Sequence, residues 1–368
     1  MKEDYEYRDC KIIIDALNNG NHDEELEFFR MITEDTDLFF GIRHNKLQLY
    51  KSRAMVVEVS YKKKEDRLVY KINTTEDLNN KNESKEVTFK EFKEQFARIV
   101  QNSKNKYRDR GLFEEICQQW IVDMNNKHSD DYYYVDMEFN IQGTRLGRID
   151  MIAISKRKID GKHKVVLIEL KVGKQSISGT WSKDERYEEN IEENIFNGDL
   201  KHPLKFGSGI VGHIVDYYRI ISEENYSIVK ESICRMLKCQ KELGYLKDSN
   251  LGELQADELS DKPEVIIACY THAPKTSYDV TEENQNPKTP IKELMREVHK
   301  NLYNTIGSEF NLQDALPSNL TNGFMSRSID NYEEMDETMC YSQEIHGETY
   351  CFIIKFIDAD SVDCWKLI

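Results

Sequence analysis

Two neighbouring apolar segments between positions 147 and 171 constrain the fold of this chain more than any other feature. The first reads Gly-Arg-Ile-Asp-Met-Ile-Ala-Ile and the second Val-Val-Leu-Ile-Glu-Leu-Lys, with a short basic stretch between them. They place Asp150, Glu169 and Lys171 inside strand-length stretches that otherwise belong in a core. A lone charge in such a stretch costs several kcal/mol of desolvation, so the three charges are expected to share a compensating partner. Two carboxylates and an amine around a divalent metal ion would be one such arrangement.

The spacing of residues predicts how these charges are presented. Lys164 to Val172 is almost continuously apolar, which is typical of a central strand covered on both faces. Leu170 separates Glu169 from Lys171, so these two side chains point to the same face of the strand. The preceding basic stretch, 156–163, contains Asp160-Gly161 and predicts a hairpin turn. Asp150 and Glu169 are therefore expected on adjacent strands.

The surrounding patterns predict three units with boundaries at 1–104, 105–275 and 276–368. The first has a helix at 23–32, an antiparallel meander with strands near 38–43, 46–50, 54–59 and 67–72, a loop at 73–86 and a helix at 87–101. We expect this N-terminal β-rich module to serve binding, dimerisation or regulation. Its aromatic and basic strand residues could contact nucleic acid or simply pack a sheet.

The second unit carries the charged strands. Asp109 is expected to cap a helix that continues through Met124. Strands near 132–141, 145–155 and 164–172 follow, with a turn at 142–144 between the first two. Helices are predicted near 184–194, 210–221 and 226–243, and then a buried strand at 263–270. The third unit is an acidic extension that packs on this core, with a loop at 274–290, a helix at 291–304, an irregular stretch and a strand at 349–357.

With this order of elements, the chain resembles the restriction-endonuclease-like superfamily, the PD-(D/E)xK phosphodiesterases, over residues 106–272. The resemblance rests on Gly-Arg-Ile-Asp150, on Ile-Glu169-Leu-Lys171 and on the acidic helix before them. It implies an α/β (α+β) fold with a mixed β-sheet flanked by helices. Ile149 stands where the family name implies proline, and that position varies in such motifs.

The resemblance implies a metal-dependent nuclease that hydrolyses phosphodiester bonds, most often in DNA, with a role in defence, restriction or repair. Mg²⁺ prefers oxygen ligands and keeps several waters, so two or three carboxylates suffice to hold it or Mn²⁺. Asp150, Glu169 and an acid from the preceding helix would be those ligands. Lys171 would hold the attacking water or stabilise charge at phosphorus.

The helix acid is Glu114 or Glu115. The apolar stripe of this helix centres near Phe113, Cys117, Trp120 and Met124 at 100° per residue. Glu114 borders that stripe and Glu115 lies nearly opposite, so Glu114 is preferred. Both could instead be solvated helix charges, and Glu169 with Lys171 could be a structural ion pair.

Four further residues are candidates for contact with nucleic acid. Arg148 could bind phosphate or pair with an acid, and Gln175 follows the motif, where it could touch the scissile strand or be an ordinary loop residue. His213 and Tyr217 lie one helical turn apart, at the place where some nucleases of the superfamily carry a Gln-x-x-x-Tyr element. This chain has His in place of that Gln, and a packed helix is the alternative.

Composition limits the other possibilities. The net charge is −16, but 12 acids lie in 301–368, while 151–250 is nearly balanced, so a DNA partner stays open. The eight cysteines show no Cys-x-x-Cys pair and are expected to be reduced packing residues. No apolar run suits a membrane span or a signal peptide, so a cytoplasmic protein is expected. A homodimer, a partner protein, and a catalytically inactive nucleic-acid-binding or ligand-sensing protein on the same fold remain alternatives.

Overall fold

The computed structural model describes residues 7–19, 21–34, 38–51, 54–73, 84–109, 113–141, 148–177, 210–221, 223–248, 250–274, 287–306, 338–345 and 348–368. These residues form a mixed α+β structure with a five-stranded antiparallel sheet and a six-stranded mixed sheet. Eight α-helices accompany the two sheets within the described ranges. None of those helices combines the length and the apolar character needed to cross a bilayer.

The N-terminal sheet is the predicted antiparallel meander. Its order is β1-β2-β3-β4-β5, and three helices accompany it. The elements are α1 (Lys11–Asn18), α2 (Asp23–Ile32), β1 (Phe39–Arg43), β2 (Lys46–Lys51), β3 (Ala54–Lys62), β4 (Arg67–Asn73), β5 (Ser84–Val87) and α3 (Phe89–Asp109). Residues 84–86 were expected in a loop but lie in β5. That edge strand reads Ser-Lys-Glu-Val with its first three residues exposed, so it carries no apolar alternation.

The second sheet contains the charged strands and follows the predicted order of helix, three strands, helices and strand. The elements are α4 (Phe113–His128), β6 (Tyr132–Phe139), β7 (Ile149–Ile159), β8 (Lys162–Val172), α5 (Lys174–Ile177), α6 (Ile210–Ile220), α7 (Glu223–Glu242), β9 (Glu264–Tyr270), α8 (Ile291–Ile306), β10 (Thr338–Ile345) and β11 (Glu348–Ile357). The strand order is β10-β11-β9-β8-β7-β6. β8, β9 and β11 run parallel, and the other neighbours are antiparallel.

Two local predictions for this region were wrong. The basic turn is shorter than 156–163, because β7 extends to Ile159 and β8 begins at Lys162. Only Asp160 and Gly161 form the turn, with φ of 55° and 86°, the left-handed pair that a tight hairpin requires. Asp109 does not cap α4, because it is the last residue of α3. The turn predicted at 142–144 and the helix predicted at 184–194 lie outside the described residues.

The predicted unit boundary at 104/105 falls inside α3, and the boundary at 275/276 lies outside the described residues. β11 pairs in parallel with β9, and β10 pairs with β11, so the C-terminal segment completes the same sheet that carries Asp150 and Glu169. Strand β10 was expected as irregular chain, since its sequence Thr-Met-Cys-Tyr-Ser-Gln-Glu-Ile lacks a continuous apolar run.

The sheet separates two apolar layers, which explains the continuous apolar sequence of β8. Val165 and Leu167 pack in the layer that contains Ile214 of α6 and Val229 of α7. Val166 and Ile168 pack in the other layer, with Trp120 of α4. Because both faces are covered, every side chain along the strand from Val165 onward must be apolar or compensated. Side chains alternate between faces, so Glu169 shares the face of Leu167 that α6 and α7 cover.

A buried ion cluster joins the N-terminal module to β6. Arg8 Nη1 donates to Asp136 Oδ2 at 2.6 Å, and Arg43 Nη1 donates to Asp136 Oδ1 at 2.8 Å. Arg8 also donates to the carbonyl of Glu138, and Arg43 to the carbonyl of Met137. The carboxylate of Asp136 thus links β1 and the chain start to the edge of the central sheet.

Candidate active site

Strand pairing brings Asp150 beside Glu169. Met151 of β7 pairs with Ile168 of β8, so the next position of the antiparallel ladder sets Asp150 opposite Glu169. The amide of Leu170 donates to Asp150 Oδ2 at 2.8 Å, which fixes that carboxyl group against β8. All three predicted motif residues are buried: Asp150 is 8 % exposed, Glu169 1 % and Lys171 3 %.

Three side chains surround the carboxylate of Glu169. Lys171 Nζ donates to Oε1 at 2.6 Å, and the hydroxyl of Tyr217 donates to Oε2 at 3.0 Å. Nδ1 of His213 lies 3.0 Å from Oε1. Lys171 and Glu169 meet because Leu170 between them turns to the other face, as the strand period requires. The two remaining groups come from α6, one turn apart.

The site holds two carboxyl groups with opposite pKa shifts. Burial raises the pKa of Glu169, but the charges of Lys171 and His213 outweigh it and lower this pKa to about 2. Burial raises the pKa of Asp150 well above its usual value, and the negative charge of Glu169 raises it further. Glu169 is thus the ionised member of the pair, whereas Asp150 favours its neutral form when no additional cation is near.

Glu114 is the third acid of the cluster. It lies in the first turn of α4, and its Oε1 is 4.0 Å from Lys171 Nζ. Its side chain is 31 % exposed, so the site opens to solvent on this side. Burial lowers the pKa of Lys171, but the charges of Glu169, Glu114 and Asp150 more than offset this and raise it overall. The side chain of Glu115 lies outside the described residues.

The three acids do not form a closed ligand set. Across the described ranges, one group of three or more His, Cys, Asp or Glu residues has ligand atoms all within 4.8 Å of one another, and it is formed by other residues. Glu114, Asp150 and Glu169 therefore surround Lys171 without all touching each other. Their chemistry suits a hard cation, because all three donors are carboxylates. Ionising Asp150 beside Glu169 would add a negative charge that a bound cation would relieve.

Tyr217 does not occupy the position expected of a nucleic-acid contact. Its side chain is fully buried, and its hydroxyl bonds both the Ile168 carbonyl and Glu169 at 3.0 Å. A phenol enclosed in this way cannot reach a DNA strand. Tyr217 positions the carboxylate of Glu169 instead. The side chain of His213 is partly exposed, but its Nδ1, which lies beside the same carboxylate, is buried.

The other candidates lie at the rim. Arg148 forms an ion pair with Glu138. Of the two predicted roles, contact with phosphate or pairing with an acid, this is the second. Gln175 is exposed on α5, directly after β8. Its neighbour Lys174 forms ion pairs with Glu293 at 2.9 Å and Glu297 at 3.6 Å. In the N-terminal module, Phe39 and Phe40 are buried in the core, so they pack the sheet.

Sequence patterns did not indicate two groups that the structure assembles. The Arg8–Asp136–Arg43 cluster joins residues more than 90 positions apart. The second group is His272, Asp358 and Asp360, whose members follow β9 and β11. The sequence shows only that polar residues follow each of these apolar strands. The sequence patterns did not indicate that β9 and β11 are neighbours in the sheet.

Comparison with known proteins gives no assignment. No protein-family model, curated protein or solved structure matches the chain. The resemblance to PD-(D/E)xK phosphodiesterases thus stays a prediction from the motifs.

Proposed function

We propose that the protein is a metal-dependent nuclease that hydrolyses phosphodiester bonds in DNA. The observation that carries this proposal is the burial of Asp150, Glu169 and Lys171 together on paired strands, with Glu114 beside them. A six-stranded mixed sheet carries these residues, and the resemblance to restriction-endonuclease-like enzymes leads us to expect a mixed sheet flanked by helices. That resemblance supplies the substrate class, and the site supplies the chemistry.

A purely structural ion pair between Glu169 and Lys171 does not explain why Asp150 and Glu114 lie beside it. Glu169 and Lys171 alone would balance each other in the core. Asp150 adds a second buried carboxyl group, and Glu114 adds a third acid at the opening. Burial raises the pKa of Asp150 and the negative charge of Glu169 raises it further, so an ionised Asp150 is unfavourable here without a cation. Groups with strongly shifted pKa values that lie at an opening of the protein are found most often at functional sites.

Glu114, Asp150 and Glu169 would hold the ion, Mg²⁺ or Mn²⁺. A bound divalent cation supplies charge neutralisation at the phosphodiester and lowers the pKa of water. Its charge would also favour the ionised form of Asp150. This donor set of carboxylate oxygens is the one that such ions prefer.

The remaining groups orient these side chains. Lys171 carries a positive charge that the surrounding acids maintain, so it can stabilise negative charge that develops at phosphorus. Tyr217 and His213 hold the two oxygens of Glu169 in place. Glu114 has the most exposed side chain of the three acids.

The test uses purified full-length protein with plasmid, linear and single-stranded DNA, in Mg²⁺, Mn²⁺ or EDTA. Cleavage is expected with a metal ion only, and Asp150→Asn, Glu169→Gln and Lys171→Met should each lose it. Asp131→Asn is the matched control. It makes the same chemical change as Asp150→Asn, but at an exposed residue that precedes β6. Circular dichroism and melting temperature establish that each variant folds.

Two results would contradict the proposal. Cleavage by Asp150→Asn at the parental rate would exclude this site. DNA binding without cleavage under every metal condition would favour the inactive nucleic-acid-binding alternative. A titration with Mn²⁺, comparing the parent with Asp150→Asn, then tells whether the acids bind an ion even without turnover.

A further inference from the structure

A second cluster of metal-ligating side chains lies where parallel strands β9 and β11 end. His272 follows β9, and Asp358 and Asp360 follow β11. One ligand atom from each residue lies within 4.8 Å of the others. His272 is buried at 4 % exposure, whereas the two carboxylates are about half exposed, 42 % and 54 %. The cluster is therefore anchored in the protein and open to solvent on one side.

Hydrogen bonds determine which nitrogen of His272 faces the acids. The hydroxyl of Thr271 lies 2.9 Å from His272 Nδ1 and 3.4 Å from Asp358 Oδ1. A neutral imidazole whose Nδ1–H donates to this hydroxyl has its lone pair on Nε2, and a metal ion at the cluster would bind that tautomer. Nε2 lies 3.3 Å from Asp360 Oδ1. Metal-binding histidines in proteins are commonly oriented by a hydrogen bond from their other ring nitrogen.

Lys288 already places a cation between the two acids. Its Nζ lies 3.0 Å from Asp358 Oδ1 and 2.7 Å from Asp360 Oδ2. These contacts hold the pKa of Asp360 below its usual value. The lysine is itself half exposed, so its ammonium can leave toward solvent. One ammonium against two carboxylates still leaves the cluster short of positive charge when the imidazole is neutral.

We infer that His272, Asp358 and Asp360 form a binding site for a divalent first-row transition ion, with Lys288 as the cation that a metal ion displaces. An imidazole nitrogen combined with two carboxylate oxygens suits Mn²⁺ or Zn²⁺. Ca²⁺ and Mg²⁺ prefer oxygen alone. With three protein ligands the ion keeps positions for water.

The site differs from the carboxylate cluster of Asp150 and Glu169 in residues and in donor type. A bound ion would link the chain after β9 to the chain after β11. It would thereby fix the C-terminal hairpin, β10 and β11, to the parallel core of the sheet. The inference does not depend on the nuclease proposal, because it uses none of the same side chains.

The test is a titration with Mn²⁺ followed by electron paramagnetic resonance, in full-length protein that carries Asp150→Asn to remove the other candidate site. We expect a bound ion whose spin-echo spectrum shows modulation from a directly coordinated imidazole nitrogen. His272→Ala and Asp360→Asn should each lose that modulation and the corresponding binding. Mg²⁺ in excess should compete poorly. Asp363→Asn is the control, because Asp363 is an exposed acid of the same segment that pairs with Lys366.

Lys288→Met tests the displacement. Without the competing ion pairs, Mn²⁺ should bind about twofold to fivefold more tightly, which is the size of an exposed pair. Weaker binding in Lys288→Met would overturn the role given to the lysine. The site itself would be overturned if the Asp150→Asn protein shows no nitrogen modulation, or if the modulation survives in both His272→Ala and Asp360→Asn.

Discussion

Replacing Lys171 by methionine removes the ammonium and keeps the length of the side chain. Nζ of Lys171 lies 2.6 Å from Glu169 and is almost fully buried. At that separation, two unit charges attract by about 6 kcal/mol at an effective dielectric constant of ~20. Tyr217 and His213 remain beside Glu169 and offset part of the loss. Breaking a buried pair costs about 3–5 kcal/mol, so the free energy of unfolding should fall by that amount.

The assay is urea unfolding in EDTA, where no metal ion can replace the ammonium. The double variant Glu169→Gln/Lys171→Met should be less destabilised than Lys171→Met, because no charge is then left buried alone. The penalty of Lys171→Met should also shrink as pH falls, since a proton can neutralise Glu169. Lys247→Met, at an exposed position, is the matched control and should stay within about 0.5 kcal/mol of the parent.

Two outcomes would refute this reasoning. A Lys171→Met protein as stable as the control would mean that Glu169 is not held by the lysine. Additive effects in the double variant would mean that the two charges do not interact. Either result would also remove the electrostatic basis for placing the site here.

Three further predictions concern Asp136, Gly161 and two buried cysteines. Asp136→Asn should destabilise by about 3–5 kcal/mol in urea, because it leaves two guanidinium groups without their shared carboxylate, and Asp131→Asn should not. Gly161→Ala should lower the free energy of unfolding by about 1–2 kcal/mol, since φ is 86° while the space for a Cβ is open, and Gly161→Asn should cost less. Burial raises the thiol pKa of Cys234 and Cys269 to about 12, so residue-specific mass spectrometry should find them alkylated at pH 8 only after urea is added. Between pH 9 and about 12 the unfolded chain releases these thiol protons while the folded chain keeps them. The contribution of the two thiols to the free energy of unfolding is therefore full below pH 9 and should disappear as pH rises to about 12.

Local patterns were sufficient for most elements of the central sheet. The apolar run of β8 and the Asp160-Gly161 pair predicted a hairpin, and the structure has that hairpin with a tighter turn. The period of two placed Glu169 and Lys171 on one face, and they are hydrogen-bonded there. The helical period favoured Glu114, which lies 4.0 Å from Lys171. These features depend on residues close in sequence, whose geometry the backbone period determines.

Polar edge strands gave no such signal. β5 and β10 were missed because an edge strand is held by backbone hydrogen bonds to one neighbour, and its side chains need not alternate.

The six described cysteines outside β10 and β11 are free thiols, as the absence of a Cys-x-x-Cys pair indicated. For Tyr217, the sequence predicted a position on a helix but not its contact with Glu169. That contact depends on how α6 packs on the sheet.

The sequence alone determined which residues carry charge into the core, because burying Asp150, Glu169 and Lys171 is costly wherever those strands lie. The tertiary structure decided what surrounds them. Parallel pairing joins β8 to β9 across 98 positions of sequence, since Val166 pairs with Glu264, and β9 to β11 across 87, since Glu264 pairs with Cys351. That pairing places His272 beside Asp358 and Asp360. Such contacts follow from the order of strands in the sheet, and a single local pattern contains no information about that order.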